Sequence, residues 1–139
     1  MTRQKQRLET TGQLARLIEK TIGRREKNKH PATRCFQAIR IYINDELTQL
    51  AKGLEEAIGL LRPGGRLVVI SFHSLEDRLV KRTIRESARP GQVRRNIPQH
   101  PDLKPVLKPM GSAIKPSASE LSVNPRARSA VLRIAEKLG

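Results

Sequence analysis

A short apolar run, bounded by a glycine turn and a helix start, constrains the fold of this chain more than any other feature. Residues Arg66–Phe72 read RLVVISF and follow the turn residues Gly64 and Gly65. A run this rich in β-branched side chains predicts a central strand covered on both faces. Ser74 then predicts a helix N-cap, because acidic residues follow it in the first turn. Helix, turn, buried strand and helix together indicate an α/β layer architecture.

The strongest helical pattern precedes this strand, between Thr33 and Leu61. Its apolar residues recur at steps of three and four and form one continuous stripe: Phe36, Ile39, Ile43, Leu47, Leu50, Leu54, Ile58 and Leu61. This spacing predicts one long amphipathic helix. A shorter helix is predicted nearer the N-terminus, with Thr10 or Thr11 as its N-cap and Gly23 at its end.

The last third of the chain has a different composition. Six of the nine prolines lie between Pro90 and Pro116 among basic side chains, which predicts an extended basic segment without a core of its own. Ser117 is placed to cap one or two helical turns. Ala130–Ala135 predicts a second strand, and Arg133 in its middle favours an edge or a half-exposed face. Because two strands do not make a stable open sheet, the chain is expected to dimerise or to belong to something larger.

The charge of the chain predicts a polyanionic partner. Lys and Arg number 28 against 13 Asp and Glu, a formal net charge of +15, and nucleic acid is the usual partner of such a surface. A basic surface that serves only solubility is the alternative. With only three aromatic side chains, affinity is expected to come from phosphate contacts rather than from base stacking. The basic loop Arg24–Pro31 is interpreted either as a phosphate contact or as a solvated loop.

Cysteine use and hydropathy limit the class of protein further. The single cysteine, Cys35, lies in an apolar helical pattern and is interpreted as a packing residue in a reducing cytoplasm. No apolar run reaches the length of a membrane span, so no membrane partner is expected. His30 and His100 have no metal-ligand spacing to a second ligand, and no metal site is predicted.

The best candidate for chemistry is the end of the predicted central strand, because ligands of open α/β sheets bind beyond the carboxyl ends of the strands. Ser71, His73 and Ser74 lie there. His73 has two interpretations: it donates a hydrogen bond or moves a proton, or it orients the turn by bonding the backbone. Glu76 and Asp77 are interpreted as helix-start residues rather than as a catalytic pair.

Several stretches, in order along nearly the whole chain, resemble the MraW/RsmH family of S-adenosylmethionine-dependent methyltransferases of small-subunit ribosomal RNA. They are Thr10–Leu14 (TTGQL), His30–Arg40 (HPATRCFQAIR), Asn44–Leu47 (NDEL), Gly64–Lys81 (GGRLVVISFHSLEDRLVK), Lys115–Ser117 (KPS) and Asn124–Ala130 (NPRARSA).

The resemblance implies methyl transfer to the N4 amine of a cytidine and the C-terminal part of a Rossmann-like class I methyltransferase sheet. It divides the chain into the end of a helical insertion or substrate-binding region (1–30), a helix–strand–helix of the catalytic domain (31–89), a basic Pro-rich loop (90–116), and a short helix with a terminal strand (117–139). Ser71, His73 and Ser74 would shape the target pocket. The expected contacts to the RNA backbone are Arg34, Arg40, Arg78, Lys81, Arg126 and Arg128.

One departure from the family's pattern limits what this chain is expected to do. The family's glycine-rich Asp-Gly-Thr cofactor loop and its ribose-binding acidic residue do not occur in the sequence and would precede Met1. No residue here is therefore assigned to S-adenosylmethionine, and the isolated chain is expected to be inactive and not to bind this cofactor. The expected partners are ribosomal RNA or the small ribosomal subunit, with a missing N-terminal half or a second copy of the chain. The alternative function is a non-catalytic basic RNA-binding module.

Overall fold

The computed structural model of the chain describes residues 7–23, 30–91 and 103–139. The expectations for the loop Arg24–Pro31, for part of the Pro-rich segment and for His100 fall largely on residues 24–29 and 92–102, outside the described residues. The elements, in chain order, are α1 (Thr11–Ile22), α2 (Thr33–Ile43), α3 (Glu46–Leu60), β1 (Arg66–Ser71), α4 (Ser74–Ala88), β2 (Leu107–Pro109), α5 (Ala118–Val123), a 3-10 helix (Pro125–Ser129) and β3 (Val131–Lys137). They form two units, Met1–Glu46 and Leu47–Gly139.

The first unit contains α1 and α2, and the predicted ends of α1 are confirmed. Thr10 is the N-cap, and its hydroxyl accepts from the backbone N–H of Gln13 at 3.2 Å. The amide oxygen of Gln13 accepts in return from the Thr10 backbone N–H, also at 3.2 Å, which completes a capping box. Gly23 ends the helix in the left-handed region, with φ of 62°.

The prediction of one long helix between Thr33 and Leu61 is wrong. Helix α2 ends before Asn44, and Asp45 has φ of 50°, so the chain turns before α3 begins at Glu46. Asp and Asn tolerate the left-handed region better than other side chains, because their short polar groups can hydrogen-bond locally. The apolar spacing continues across this turn, which is why periodicity alone does not reveal the break.

The second unit is built on a three-stranded antiparallel sheet in the order β1-β3-β2. Both β1 and β2 run antiparallel to β3, so they are parallel to each other, and α4 forms the crossover between them. The core lies on one face of this sheet, where α3 and α4 contribute buried side chains. Its buried members are Leu54, Ile58, Leu67, Val80, Ile84, Leu107 and Ala135. The unit is therefore a mixed α/β structure.

The prediction that Arg66–Phe72 is a central strand covered on both faces is wrong within the described residues. Strand β1 lies at an edge of the sheet, and its buried Leu67 alternates with Val68 and Ile70, which are each 54% exposed. The register pairs Val68 with Ile134 and Ile70 with Leu132, so the uncovered face is apolar. We call these four residues the outer sheet face. A β-branched run is typical of two-sided burial, but here only one side is covered.

Strand β2 corrects two further expectations. The segment 90–116 was expected to be a loop, yet it contains β2, whose Leu107 is only 1% exposed and belongs to the hydrophobic cluster of the sheet. The two-strand count was therefore wrong, because a three-residue strand that ends in Pro109 has too little pattern to be recognised. With β2 on its other side, β3 is the middle strand, so Arg133 does not lie on an edge.

The Gly64–Gly65 turn is joined to the end of β3 by backbone hydrogen bonds. The Gly64 N–H donates to the Lys137 carbonyl, and the Lys137 N–H donates to the Gly65 carbonyl, both at 2.8 Å. Gly64 has φ of 79°, and a Cβ on Gly65 would lie 2.8 Å from the Arg62 carbonyl oxygen, so both positions favour glycine. The Lys137 ammonium also donates to the Ile58 carbonyl at 3.0 Å, near the C-terminus of α3, where a cation is favourable.

The burial of Leu107 predicts that the short strand is essential for stability. Leu107→Ala should lower the free energy of unfolding by about 2–5 kcal/mol, because it leaves a cavity in the core. Urea unfolding followed by circular dichroism measures the change. Leu60→Ala is the matched control, since Leu60 is 86% exposed, and it should change the free energy by less than about 0.5 kcal/mol. Equal effects of the two substitutions would contradict this position for β2.

Candidate functional site at the end of strand β1

The three predicted pocket residues are Ser71, His73 and Ser74, and they lie where β1 ends and α4 begins. Ser71 ends β1 and is 3% exposed, while Ser74 begins α4 and is exposed. The predicted cap at Ser74 is wrong by one position: His73 is the N-cap, with extended backbone. The His73 Nδ1 accepts from the Glu76 backbone N–H at 3.3 Å, as a serine hydroxyl would.

Glu76 fixes the other half of this turn. Its Oε2 accepts from the backbone N–H of Phe72 at 2.8 Å and from that of His73 at 3.1 Å. These contacts make a capping box with His73 and place a carboxylate at the positive end of the helix dipole. The interpretation of Glu76 as a helix-start residue is therefore confirmed, and its carboxylate is occupied by backbone donors.

The hydrogen bond to Nδ1 determines the tautomer of a neutral His73 ring. Because Nδ1 accepts, the proton of the neutral imidazole is on Nε2. The Nε2 atom lies 3.3 Å from Glu76 Oε1, but it is buried and makes no hydrogen bond of acceptable geometry with a described residue. The sequence left two roles open for His73. The structure shows a direct contact for one of them, in which the side chain orients the turn by bonding the backbone. The Nε2–H remains an unused donor at this strand end.

Asp77 joins the start of α4 to the middle of β3. Its Oδ1 accepts from Arg133 Nε at 2.7 Å and its Oδ2 accepts from Arg133 Nη2 at 3.0 Å, a bidentate pair. The side chains are 23% and 19% exposed, so solvent screens the pair less than it would at the surface. The hydrogen bonds from Arg133 lower the pKa of Asp77; partial burial opposes this, and the charges of Arg133 and Lys81 reinforce it.

These contacts test whether this strand end could hold an S-adenosylmethionine ribose. A carboxylate with free oxygens is needed to accept from the ribose hydroxyls. Glu76 is bonded to two backbone N–H groups and Asp77 is bonded to Arg133. Glu76 Oε2 and both oxygens of Asp77 therefore already have hydrogen-bond donors, so these three oxygens do not fit a cofactor ribose. In the described ranges, no group of three His, Cys, Asp or Glu residues is arranged to hold a metal ion.

The predicted RNA contacts are divided between the two units. Arg34 and Arg40 lie on α2, and Arg40 forms an ion pair with Glu46, its Nε 2.8 Å from Oε1. The others belong to the second unit: Arg78 and Lys81 are exposed on α4, and Arg126 and Arg128 are exposed on the 3-10 helix.

Three further basic residues of the second unit were not among the predicted RNA contacts. Arg85 follows Lys81 at a spacing of four on the same helix, Arg89 follows at eight, and Lys108 lies on the unrecognised β2. The spacing of four along a helix was a usable signal for the first two. No sequence pattern pointed to Lys108.

The sheet and its helices define the chain as an α/β protein. Its candidate site lies beyond the carboxyl end of β1. None of the helices described is long and apolar enough to cross a membrane. A family model described as the MraW methylase family matches residues 1–138. The chain belongs to this family.

Curated relatives are similar to the chain along nearly all of its length. Proteins named "Ribosomal RNA small subunit methyltransferase H" from Dechloromonas aromatica and Pseudoalteromonas atlantica are 54% and 55% identical to it, over 98% of the chain and 45% of each relative. The protein of that name from Xanthomonas campestris pv. campestris is 55% identical over 99% of the chain and 40% of the relative. The chain thus spans less than half the length of these relatives.

The Asp77–Arg133 pair predicts a pH-dependent contribution to stability. Because the pKa of Asp77 is lower in the folded chain, the contribution is fully present above the ordinary value of 3.8 and is lost as the pH falls through the lower folded value. Asp77→Asn should lower the free energy of unfolding by about 1–3 kcal/mol at neutral pH, and the deficit should shrink below the ordinary value. Urea unfolding across the acid range measures both.

Asp45→Asn is the matched control for this substitution. Asp45 is exposed and has positive φ, which asparagine also tolerates, so its change should stay within about 0.5 kcal/mol at every pH. A deficit for Asp77→Asn that is constant from neutral to strongly acidic pH would contradict the charge-based account.

Proposed function

We propose that this chain is the C-terminal part of a small-subunit ribosomal RNA methyltransferase that transfers a methyl group from S-adenosylmethionine to the N4 amine of a cytidine. The observation that carries the proposal is the similarity at 54–55% identity, over almost the whole chain, to relatives named "Ribosomal RNA small subunit methyltransferase H". The finer points, namely the cofactor, the cytidine N4 and a Rossmann-like catalytic sheet, are inferences from the resemblance of the motifs.

The sheet supports the proposal that a further part of the enzyme completes this one. On the described residues, β1 has a partner on one side only, and its Val68 and Ile70 are each 54% exposed. Exposed apolar strands at a sheet edge favour pairing with more protein. The remaining length of the relatives is the simplest source of strands beside β1 and of helices on the outer sheet face. A second copy of the chain is the other candidate partner.

The chain's own contribution would be to position the RNA and the target base. The amine must be held near the donated methyl group and its proton must leave, so orientation accounts for much of the rate. Ser71, His73 and Ser74 would shape one wall of the target pocket. The His73 Nε2 atom is buried, 3.3 Å from Glu76 Oε1, and Glu76 holds the turn in place by bonding the backbone of Phe72 and His73.

A catalytically silent RNA-binding module is the second candidate. It is favoured by the occupied carboxylates at the strand end and by the net charge of +15. The two functions differ in one measurable respect: the module acts alone, whereas the enzyme requires the cofactor-binding half. In both cases the isolated chain is expected to bind RNA with a steep salt dependence and not to bind S-adenosylmethionine.

A chimera tests the enzymatic proposal directly. The N-terminal part of the Dechloromonas aromatica relative, up to the start of the shared region, would be joined to this chain. With radiolabelled S-adenosylmethionine and unmodified small ribosomal subunits, the chimera should label the RNA, and digestion to nucleosides should yield N4-methylcytidine. The two halves assayed separately should give no label.

The controls distinguish a folding failure from a wrong proposal. The intact relative provides the reference activity, and calorimetry with S-adenosylmethionine shows whether the chimera has folded around its cofactor. A chimera that binds the cofactor but does not label RNA would overturn the enzymatic proposal for this chain. Label on a position other than the cytidine N4 would overturn the proposed target.

A further inference from the structure

An open cavity of about 540 Å³ lies between α4 and β2, apart from the candidate site at the end of β1. Its apolar lining includes Pro105, Pro109 and Leu138, together with Ile84 and Leu107, which are 6% and 1% exposed. Five basic residues also line it: Lys81, Arg85, Arg89, Lys108 and Arg133. No acidic residue lines it among the described part of the chain. A volume of this size is typical of small-molecule sites, which combine an apolar interior with a few polar groups.

The basic residues of the cavity are arranged in two groups. Lys81, Arg85 and Arg89 are spaced by four residues along α4 and at its C-cap, so they share one face of the helix. Lys108 lies on β2, one residue after the buried Leu107, and is paired across the sheet with Glu136 of β3. Within the described ranges Arg85, Arg89 and Lys108 make no ion pair, whereas Arg133 is bonded to Asp77 and Lys81 interacts electrostatically with the same carboxylate.

On a neighbouring face of α4, by contrast, a basic side chain is paired with an acidic one. Arg82 has Glu86 four residues further on, with Arg82 Nε 3.7 Å from Glu86 Oε1, so its charge is partly compensated. Like charges at a spacing of four destabilise a helix slightly, by a few tenths of a kcal/mol per pair. The row of like charges lies beside an apolar cavity rather than on a fully solvated surface. Such an arrangement suits a ligand with an anionic end and an uncharged body.

We propose that this cavity binds one nucleotide of a single-stranded RNA, with the phosphate held by Arg85 and Arg89 and the base or sugar against Pro105, Pro109 and Leu138. This inference rests on the proposed function, because it takes RNA as the partner. Arginine suits the role, since its planar guanidinium binds phosphate in a bidentate manner and can also stack on a base. The cavity contains no aromatic side chain among the residues that line it, so stacking on an aromatic ring is not required.

The position of the cavity would give the RNA a second point of attachment. Arg85 lies twelve residues after His73, which is about 18 Å along the helix axis. A strand bound in the cavity could therefore reach the end of β1 within a few nucleotides. Phosphate contacts of this kind fix the register of a nucleic acid without reading its sequence. The cavity would help to place the target base at the strand end.

A matched pair of variants of the 139-residue chain tests the proposal. Arg85→Ala and Arg82→Ala remove the same charge from the same helix, but only Arg85 lines the cavity. Binding of a fluorescein-labelled single-stranded RNA oligonucleotide is followed by anisotropy over a range of salt concentrations. Arg85→Ala should weaken binding by about fivefold to tenfold, and Arg82→Ala by less than about twofold. The salt slope should fall by about 0.7 for Arg85→Ala only.

A second measurement distinguishes a nucleotide from a simple anion. Cytidine 5′-monophosphate, cytidine and inorganic phosphate are each titrated into the chain, and the backbone amide resonances of Gly111 and Ser112, which line the cavity, are followed by NMR. The nucleotide should shift them at lower concentration than either of its parts. Equal response to inorganic phosphate would overturn the nucleotide assignment and leave an anion site. No response to any of them would overturn the site.

Failure of this inference and failure of the proposed function give different results. If the chain binds RNA and Arg85→Ala behaves like Arg82→Ala, the cavity is not the nucleotide site, while RNA binding by the chain stands. If the chain does not bind RNA at all, both the inference and the RNA-binding part of the proposed function fail. Circular dichroism and urea unfolding of both variants exclude misfolding, because Arg82 and Arg85 are exposed.

Discussion

The sheet of this chain depends on β3, because β1 and β2 hydrogen-bond only to it among the described strands. The last strand of the chain is thus inserted between two parallel strands that are joined by α4. Its contacts extend beyond the sheet: Lys137 bonds the Gly64–Gly65 turn through its backbone and the end of α3 through its ammonium group. The middle strand therefore aligns the helix before β1, the turn, and both neighbouring strands.

The same strand also determines how rigid the candidate site is. Arg133 on β3 forms a bidentate pair with Asp77 in the first turn of α4, and His73 and Glu76 close the turn that precedes it. Every carboxylate at this strand end is consequently used to hold the backbone or a neighbouring strand. A site built in this way supplies shape and orientation rather than a reacting group. The proposed methyl transfer requires a well-placed amine more than acid–base chemistry.

The sequence predicted the elements that have strong local signals. Thr10 and Gly23 bound α1 as expected, and the strand–helix unit at Arg66 and Ser74 was correct to within one residue. The break at Asp45, which depends on one residue with positive φ, does not disturb the apolar spacing and was missed. The strand at Leu107 was missed because its pairing partner is 30 positions away and its own three residues have no period.

In the candidate site, the helix-start role of Glu76 was predictable from its position, but the Asp77–Arg133 pair joins residues 56 positions apart and required the fold.

The missed strand also explains why part of the charge could not be interpreted from the sequence. With β2 unrecognised, Lys108 was one more cation in a basic Pro-rich segment; with β2 in place, it is one of the residues that line the same cavity as Arg85 and Arg89. A net charge of +15 predicts attraction to a polyanion, but only the fold shows where that charge is concentrated. On α4, Arg82 has Glu86 four residues further on, whereas Arg85 and Arg89 make no ion pair among the described residues. Two arginines without an ion pair beside a cavity favour the proposed localised site over a generally basic surface.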